Sequence, residues 1–171
     1  VVDQIAAGEV VERPSHMVKE LVENSIDAGA SQIEVEFEQG GRFVRITDNG
    51  GGIAGVDLPK AFARHATSKI HKTDDIWKLR TFGFRGEALA SISAVSRVTL
   101  ISREPASDEG NQLVSDFGVL GAPEVCGANV GTTIRVEALF ENVPARLKFL
   151  KSETAESTQI KSTLKAMALI H

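Results

Sequence analysis

Residues 15–29, SHMVKELVENSIDAG, constrain the fold of this chain more than any other stretch. At about 100° per residue, Glu20, Glu23, Asn24 and Asp27 share one stripe of a helix, while Val18, Leu21, Val22, Ser25 and Ile26 gather on the opposite side. The pattern predicts a packed amphipathic helix, with Ser15 capping the first turn after Pro14 and Gly29 taking the left-handed conformation beyond the last. A polar stripe is ordinarily a solvated face. Solvated faces mix charge signs at i,i+4, each opposite pair worth roughly 0.2–0.5 kcal/mol, whereas Glu20/Glu23 and Glu23/Asp27 are like-charged neighbours that cost similar amounts. Acidic oxygens and an amide carbonyl with no counter-charge in the stripe suit a hard cation such as Mg²⁺, which takes oxygen ligands and keeps several waters. A further carboxylate beside such a water is placed to act as a general base.

Downstream, Ile33, Val35 and Phe37 alternate with Glu34 and Glu36, the period of a half-buried strand, and Gly40-Gly41 turns the chain into a second strand over 42–47. That strand runs into DNGGGIAG, residues 48–55. A flexible turn needs fewer glycines; three in a row let backbone approach a ligand, and Asp48 at the strand's end aims a carboxylate at it. A group that only accepts hydrogen bonds matches the N6 amino group of adenine and mismatches the O6 of guanine, so the reading is adenine selection. The same residues spell G-x-G-x-x-G at Gly50, Gly52 and Gly55, with Asp74 about 20 residues on, the spacing of a dinucleotide-binding loop. That motif also requires a helix opening in the loop and a parallel strand after it. Pro59 interrupts early and residues 65–89 hold no β-branched run, which sets the reading aside.

A helix is expected over 58–65, followed by the polar loop ATSKIHKTDD, in which Thr67, Ser68 and Lys69 cluster donors. The loop is either an ordinary connector or a lid whose hydroxyls and ammonium reach phosphates. From Gly83 the chain reads GFRGEALASISAV, two glycines ahead of a run of helix formers. Backbone N–H groups at a helix N-terminus carry partial positive charge, glycines admit oxygens to them, and Arg85 adds a charged donor, a phosphate-binding design. G-x-x-x-x-G-K-[ST] occurs nowhere, so a nucleotide site outside the P-loop class is implied. Further strands are predicted over 98–102, 113–117 and 132–138, the last with Ile134 and Val136 alternating against Arg135 and Glu137, and residues 103–111 form a polar turn. Residues 5–11 suit a small helix. With helices at 15–28, 58–65 and 87–96 and mostly hairpin-like links, the expectation is a mixed or antiparallel sheet with helices layered on one face.

With 171 residues and 42% hydrophobic content the chain can bury the core of one domain. It contains no apolar run of about 18 residues and no signal peptide, which points to a soluble protein with no membrane partner. A single cysteine, Cys126, excludes an intramolecular disulfide and fits the cytoplasm or nucleus. The net charge of -4 and pI near 5.6 give no footprint for nucleic acid, although a local patch is compatible with them. His16, His65, His71 and His171 lack metal-ligand spacing, so no zinc site is expected. The chain opens at Val1 without an initiator Met and closes inside the helical pattern Ile160, Leu164, Met167, His171, so a following segment is expected.

Three stations, Glu20-x3-Asn24-x2-Asp27-Ala28, Asp48-x-Gly50-x-Gly52 and Gly83-Phe84-Arg85-Gly86-Glu87-Ala88-Leu89, together resemble the GHKL ATPases, the superfamily of gyrase B, Hsp90, histidine kinases and MutL. Within it, QIAAGEVVERP at 4–14, KELVENSIDAGA at 19–30, RHATSKI at 64–70 and GFRGEALASIS at 83–93 resemble the mismatch-repair MutL family, and the likeness covers virtually the whole chain. The resemblance implies an α+β Bergerat ATP-binding fold, an eight-stranded, mixed but mostly antiparallel sheet with helices on one face, holding ATP and Mg²⁺ between helices and lid. It implies Glu20 as general base, Asn24 as Mg²⁺ ligand, Asp48 as the adenine contact and Gly50 and Gly52 beside the base. Thr67, Ser68 and Lys69 become lid residues, and Gly83, Phe84, Arg85, Gly86, Glu87 and Ala88 wrap the phosphates. Gly131-Thr132-Thr133 is similar to the family's last motif near the adenine contact, with Thr133 as its nucleotide-binding residue, and Asp27 takes a structural role.

The resemblance further implies an ATP-dependent homo- or heterodimer that works with a mismatch-recognition protein and DNA, in the cytoplasm for a bacterial protein and the nucleus for a eukaryotic one. In the family a following transducer-like domain supplies a lysine to the γ-phosphate. Without that domain this region is expected to bind ATP better than it hydrolyses it. NVPARLKFL at 142–150 departs from the family's NTPARRKFL at Val143 and Leu147. Two functions of different class follow: an ATPase reset by hydrolysis, or a nucleotide-gated binding module in which ATP orders a lid and a dimer surface. A histidine kinase fits less well, because no phosphoacceptor helix is evident and Glu20 suits water activation.

Overall fold

A computed structural model describes residues 12–63 and 88–170. The acidic helix, α1, spans Pro14–Asp27. It begins earlier than the capping expectation: Pro14 occupies the first turn, where its missing N–H has no helical acceptor to lose, and Ser15 is buried inside that turn instead of capping it. The N-cap position falls to Arg13, whose extended backbone (φ -140°) carries no side-chain cap bond. The other end follows expectation. Gly29 has φ +80°, its N–H reaches the Ile26 carbonyl, and the Ala30 N–H reaches that of Ser25, the paired bonds of a Schellman motif.

The chain then forms the expected hairpin, β1 (Ile33–Glu38) and β2 (Phe43–Asp48), joined by a short 3-10 turn over Gln39–Gly41. A second 3-10 turn, Gly55–Asp57, leads into α2 (Leu58–Ala61). The remainder of the helix expected to residue 65 lies outside the described residues, as do the segment 5–11 and Asp74. After α3 (Ala88–Ala94) come β3 (Arg97–Arg103), β4 (Gly110–Asp116), β5 (Val119–Leu120), β6 (Glu124–Cys126), β7 (Gly131–Glu137), α4 (Pro144–Phe149) and α5 (Glu153–Ile170). The polar turn expected over 103–111 is shorter, because β4 already begins at Gly110.

Among the described residues seven strands form one sheet in the order β1-β2-β7-β3-β4, with β5 and β6 both pairing with β4. Every pairing among them is antiparallel, which short links account for between β1 and β2, β3 and β4, and β4 and β5, whereas β7 pairs with β2 and β3 across long stretches of chain. Val44, Ile46, Val98, Leu100, Leu113, Ile134 and Val136 project from one face into a single cluster with Met17, Val18, Leu21, Leu89 and Ile92 of α1 and α3. Among the described residues the helices therefore cover one face of an α+β sandwich. Val143 at the N-cap of α4 and Leu147 within it, the two departures from the family's 142–150 sequence, pack against this core one turn apart.

α5 lies on α1 and on the turn between β1 and β2. Its carboxylate Glu156 is buried, takes the Arg13 guanidinium at 3.0 Å and accepts the Lys151 N–H at 2.8 Å. Arg42 and Glu153 pair nearby at 3.2 Å with both side chains exposed. An exposed pair is worth about 0–1 kcal/mol, whereas leaving a buried carboxylate short of a charged donor costs about 1–3 kcal/mol. Arg13→Ala is thus expected to lower unfolding stability clearly more than Arg42→Ala. Urea denaturation of the two variants checks the ranking, and equal midpoints would contradict it.

Candidate functional site

The register of the sheet aligns Asp48 with Thr132 and Thr132 with Ser102, on the same face as Ile46, Ile134 and Leu100. The helix-covered face thus changes from apolar to polar at one end. Asp48 is buried there, and each of its contacts is made by the chain itself. Its Oδ2 accepts from the Ser25 hydroxyl at 2.7 Å, and its Oδ1 accepts from the Gly50 N–H at 2.9 Å and the Thr132 N–H at 3.2 Å. A carboxylate offers about four acceptor positions, so these three bonds leave one, on Oδ2. Asp48, Ser25, Asn24, Ala28, Ile53, Thr132 and Ile134 line a cavity of about 10 Å³, room for about one water. It joins apolar walls to a carboxylate with one acceptor position to spare.

The loop after β2 is anchored to the end of α1. The Asn49 Oδ1 accepts the N–H groups of Ser31 and Gln32, both at 2.9 Å, and the Gly51 N–H reaches the Ala28 carbonyl at 3.1 Å. Of the three consecutive glycines, Gly50 and Gly52 are in close contact with the chain itself. Gly52 has φ +71°, and a Cβ there would stand 2.1 Å from the Arg103 carbonyl oxygen. Gly131 has φ +118°, and a Cβ would stand 2.0 Å from the Asp48 carbonyl oxygen. Both positions need glycine because the left-handed backbone and a neighbouring strand leave no space for a side chain. Gly50 contributes its N–H to Asp48.

On α1, the stripe of Glu20, Glu23, Asn24 and Asp27 is not uniform. Asn24 is buried, Glu20 and Glu23 are half-buried, and Asp27 is exposed at the last turn. Asn24 sits beside Ser25 in the cavity wall, with Glu20 one turn before it at the rim of the buried arc. Among the described residues no cluster of three or more His, Cys, Asp or Glu side chains could hold a metal by itself.

Thr133 lies on the opposite face of the sheet from Asp48, with its Oγ1 3.3 Å from that of Thr47. Thr132 is the residue beside Asp48, because side chains alternate along β7. Ala88 is buried at the first turn of α3. Thr67, Ser68, Lys69, Gly83, Phe84, Arg85, Gly86 and Glu87 lie outside the described residues. Sequence reading missed two positions. Ser25 was assigned only to the packed side of α1, where a lone hydroxyl among apolar residues was the available signal. Ser102, buried on β3, accepts the Ile53 N–H at 2.7 Å, donates to the Gly131 carbonyl at 2.9 Å and lies 2.8 Å from the Thr132 Oγ1.

An antiparallel sheet covered on one face by helices, with a buried aspartate beside an asparagine-bearing helix, is the arrangement of one nucleotide-binding class. Over residues 12–119 the chain matches the histidine kinase-, DNA gyrase B-, and HSP90-like ATPase family, and it belongs to that family. Within it, the chain is homologous to the ATPase region of MutL, a DNA mismatch repair protein. It is 53% identical over 169 residues to MutL of Xanthomonas campestris pv. campestris (strain B100), covering 98% of this chain and 27% of that protein. It is 51% identical over 170 residues to MutL of Streptococcus sanguinis (strain SK36), covering 99% and 26%. The structure is similar to the Aquifex aeolicus MutL ATPase domain complexed with ADP, with a TM-score of 0.77 and 37% identity over 94% of this chain and 56% of that one. The chain thus spans about a quarter of the length of these MutL relatives. No helix among the described residues is long and apolar enough to cross a membrane.

Proposed function

We propose that this chain binds ATP and hydrolyses it to ADP and phosphate, as the ATPase module of a DNA mismatch repair protein. The observation that carries the reading is the buried Asp48, whose remaining acceptor position suits the N6 amino group of adenine and repels the O6 of guanine. Thr132 accompanies Asp48 at the base, while Gly50 and Gly52 shape the loop beside it. Thr67, Ser68, Lys69 and the Gly83 to Ala88 stretch are assigned to the phosphates on their sequence likeness to the family. Glu20 takes the proton of the attacking water.

Mg²⁺ fits the donor set around Asn24. A hard cation that keeps its waters and shares phosphate oxygens needs only one or two protein oxygens, not a carboxylate cage. When bound, it neutralises charge on the phosphates. In the whole protein, the role we propose is nucleotide-driven lid ordering and dimerisation in concert with a mismatch-recognition protein and DNA, in the cytoplasm of a bacterium. A cation from outside these residues completes the charge balance on the transferred phosphate, so binding here exceeds hydrolysis. A binding module with little turnover is the second reading, and a turnover assay separates the two.

Calorimetry tests the base assignment directly. An acceptor set against an acceptor in a buried site costs about 1–3 kcal/mol, so ATP should bind roughly 5–150-fold more tightly than GTP. Equal affinities would remove adenine selection from Asp48.

A further inference from the structure

The buried hydroxyl of Ser102 does not line the cavity, yet it has a fixed hydrogen-bond inventory that reaches it. A serine hydroxyl has one proton to donate and about two lone pairs. The Ile53 N–H can only donate to it, at 2.7 Å, and the Gly131 carbonyl can only accept from it, at 2.9 Å. The proton of Ser102 is therefore committed to Gly131, and one lone pair remains for the third neighbour, the Thr132 Oγ1 at 2.8 Å. That bond closes only if Thr132 donates.

We infer that Ser102 is a positioning residue for base specificity: by drawing the hydroxyl proton of Thr132 away from the cavity, it leaves Thr132 an acceptor beside Asp48. The inference rests on the reading of Asp48 as the adenine contact. Ser25 has the same condition, since its own proton goes to Asp48. Both hydroxyls that line the cavity thus have their protons bound inside the protein, and with Asp48 they present oxygen lone pairs. An exocyclic amine with two N–H donors satisfies such a lining; a 6-oxo group does not.

The test uses ATP and inosine triphosphate, which differ in the 6-substituent, amino against oxo, and in N1, an acceptor in adenine and an N–H donor in hypoxanthine, and reads how the ratio of their dissociation constants changes between variants by calorimetry on the full-length protein. In Ser102→Ala the Thr132 proton is released to rotate and donate to a 6-oxo group. The preference for ATP is then expected to fall by about 3–10-fold, the scale of one neutral hydrogen bond. Thr132→Val removes the same hydroxyl at nearly constant shape and is expected to lower the preference as well. In a Thr132→Val background, adding Ser102→Ala should change it no further, because the two act through one proton. Equal binding of ATP and inosine triphosphate by the unmodified protein would refute the adenine site itself. A preference that is present in the unmodified protein but unchanged in Ser102→Ala, or additive losses in the double variant, would refute the role of Ser102 alone. Where Ser102→Ala does not fold, Thr132→Val decides, and an unchanged preference in that variant overturns the inference.

Discussion

Replacing Glu20 with alanine is expected to leave ATP bound while lowering its hydrolysis by about 10²–10⁴-fold, the usual loss when a positioned general base is removed. The separation follows from where the two functions sit. The proposed base contact, Asp48, is held by the Ser25 hydroxyl and the N–H groups of Gly50 and Thr132, a hydrogen-bond set that does not include Glu20, and Glu20 itself is half-buried at the rim of α1. Removing its carboxylate creates no cavity in the core that Met17, Val18 and Leu21 build beneath the helix. Asn24→Ala should behave differently, because that side chain is buried in the cavity wall and is assigned to Mg²⁺ as well, so binding and turnover should fall together. Single-turnover hydrolysis and calorimetry, run in parallel on the full-length protein, distinguish the two patterns. Normal turnover by Glu20→Ala would mean that the acidic stripe is only a solvated face.

How far the sequence revealed this site depended on whether each feature is local. The hairpin of β1 and β2 was legible because period-2 alternation and Gly40-Gly41 both lie within it. The end of α1 was legible from Gly29, but its start was not, since the preference of serine for a cap competes with that of proline for the first turn, and here Pro14 sets the boundary. The two-residue turn from β4 to β5 was missed. Phe117 and Gly118 both have positive φ there, the geometry of a type I′ hairpin, and phenylalanine is a poor signal for it where asparagine or aspartate is the usual residue.

Thr132 was legible in principle. Ile134 and Val136 mark the buried face of β7, and counting back by two from Ile134 gives Thr132, not Thr133. The motif likeness alone carried Thr133 instead. Ser102 was beyond reach, because its contacts depend on the pairing of β3 with β7, which brings together residues 30 positions apart through a register no local pattern specifies. Ser25 lay between these cases: periodicity placed it on the packed side, but only the tertiary contact with Asp48, 23 residues away, gave it a partner.

Asp48→Asn should weaken ATP binding by about 10–150-fold while keeping the fold, and this combination separates the carboxylate's role in recognition from its role in structure. Asparagine has nearly the same shape. Its amide oxygen can take the place of Oδ1 and keep the N–H bonds from Gly50 and Thr132, and the hydroxyl of Ser25 can rotate to accept from the new amide nitrogen. No buried group is orphaned, so the melting temperature should shift by only a few degrees. On the cavity side, however, the position that offered a lone pair now offers an N–H, which meets the adenine amino group donor to donor. The preference for ATP over inosine triphosphate should shrink or reverse, because a 6-oxo group is now the better partner. Asp48→Ala should lack this selectivity signature: it strands the Ser25 hydroxyl and two buried N–H groups, each costing about 1–3 kcal/mol, so stability and binding should fall together. If Asp48→Asn binds ATP as tightly as the unmodified protein and still rejects the 6-oxo nucleotide, the base is recognised by some other group and Asp48 serves only to join α1, β2 and β7.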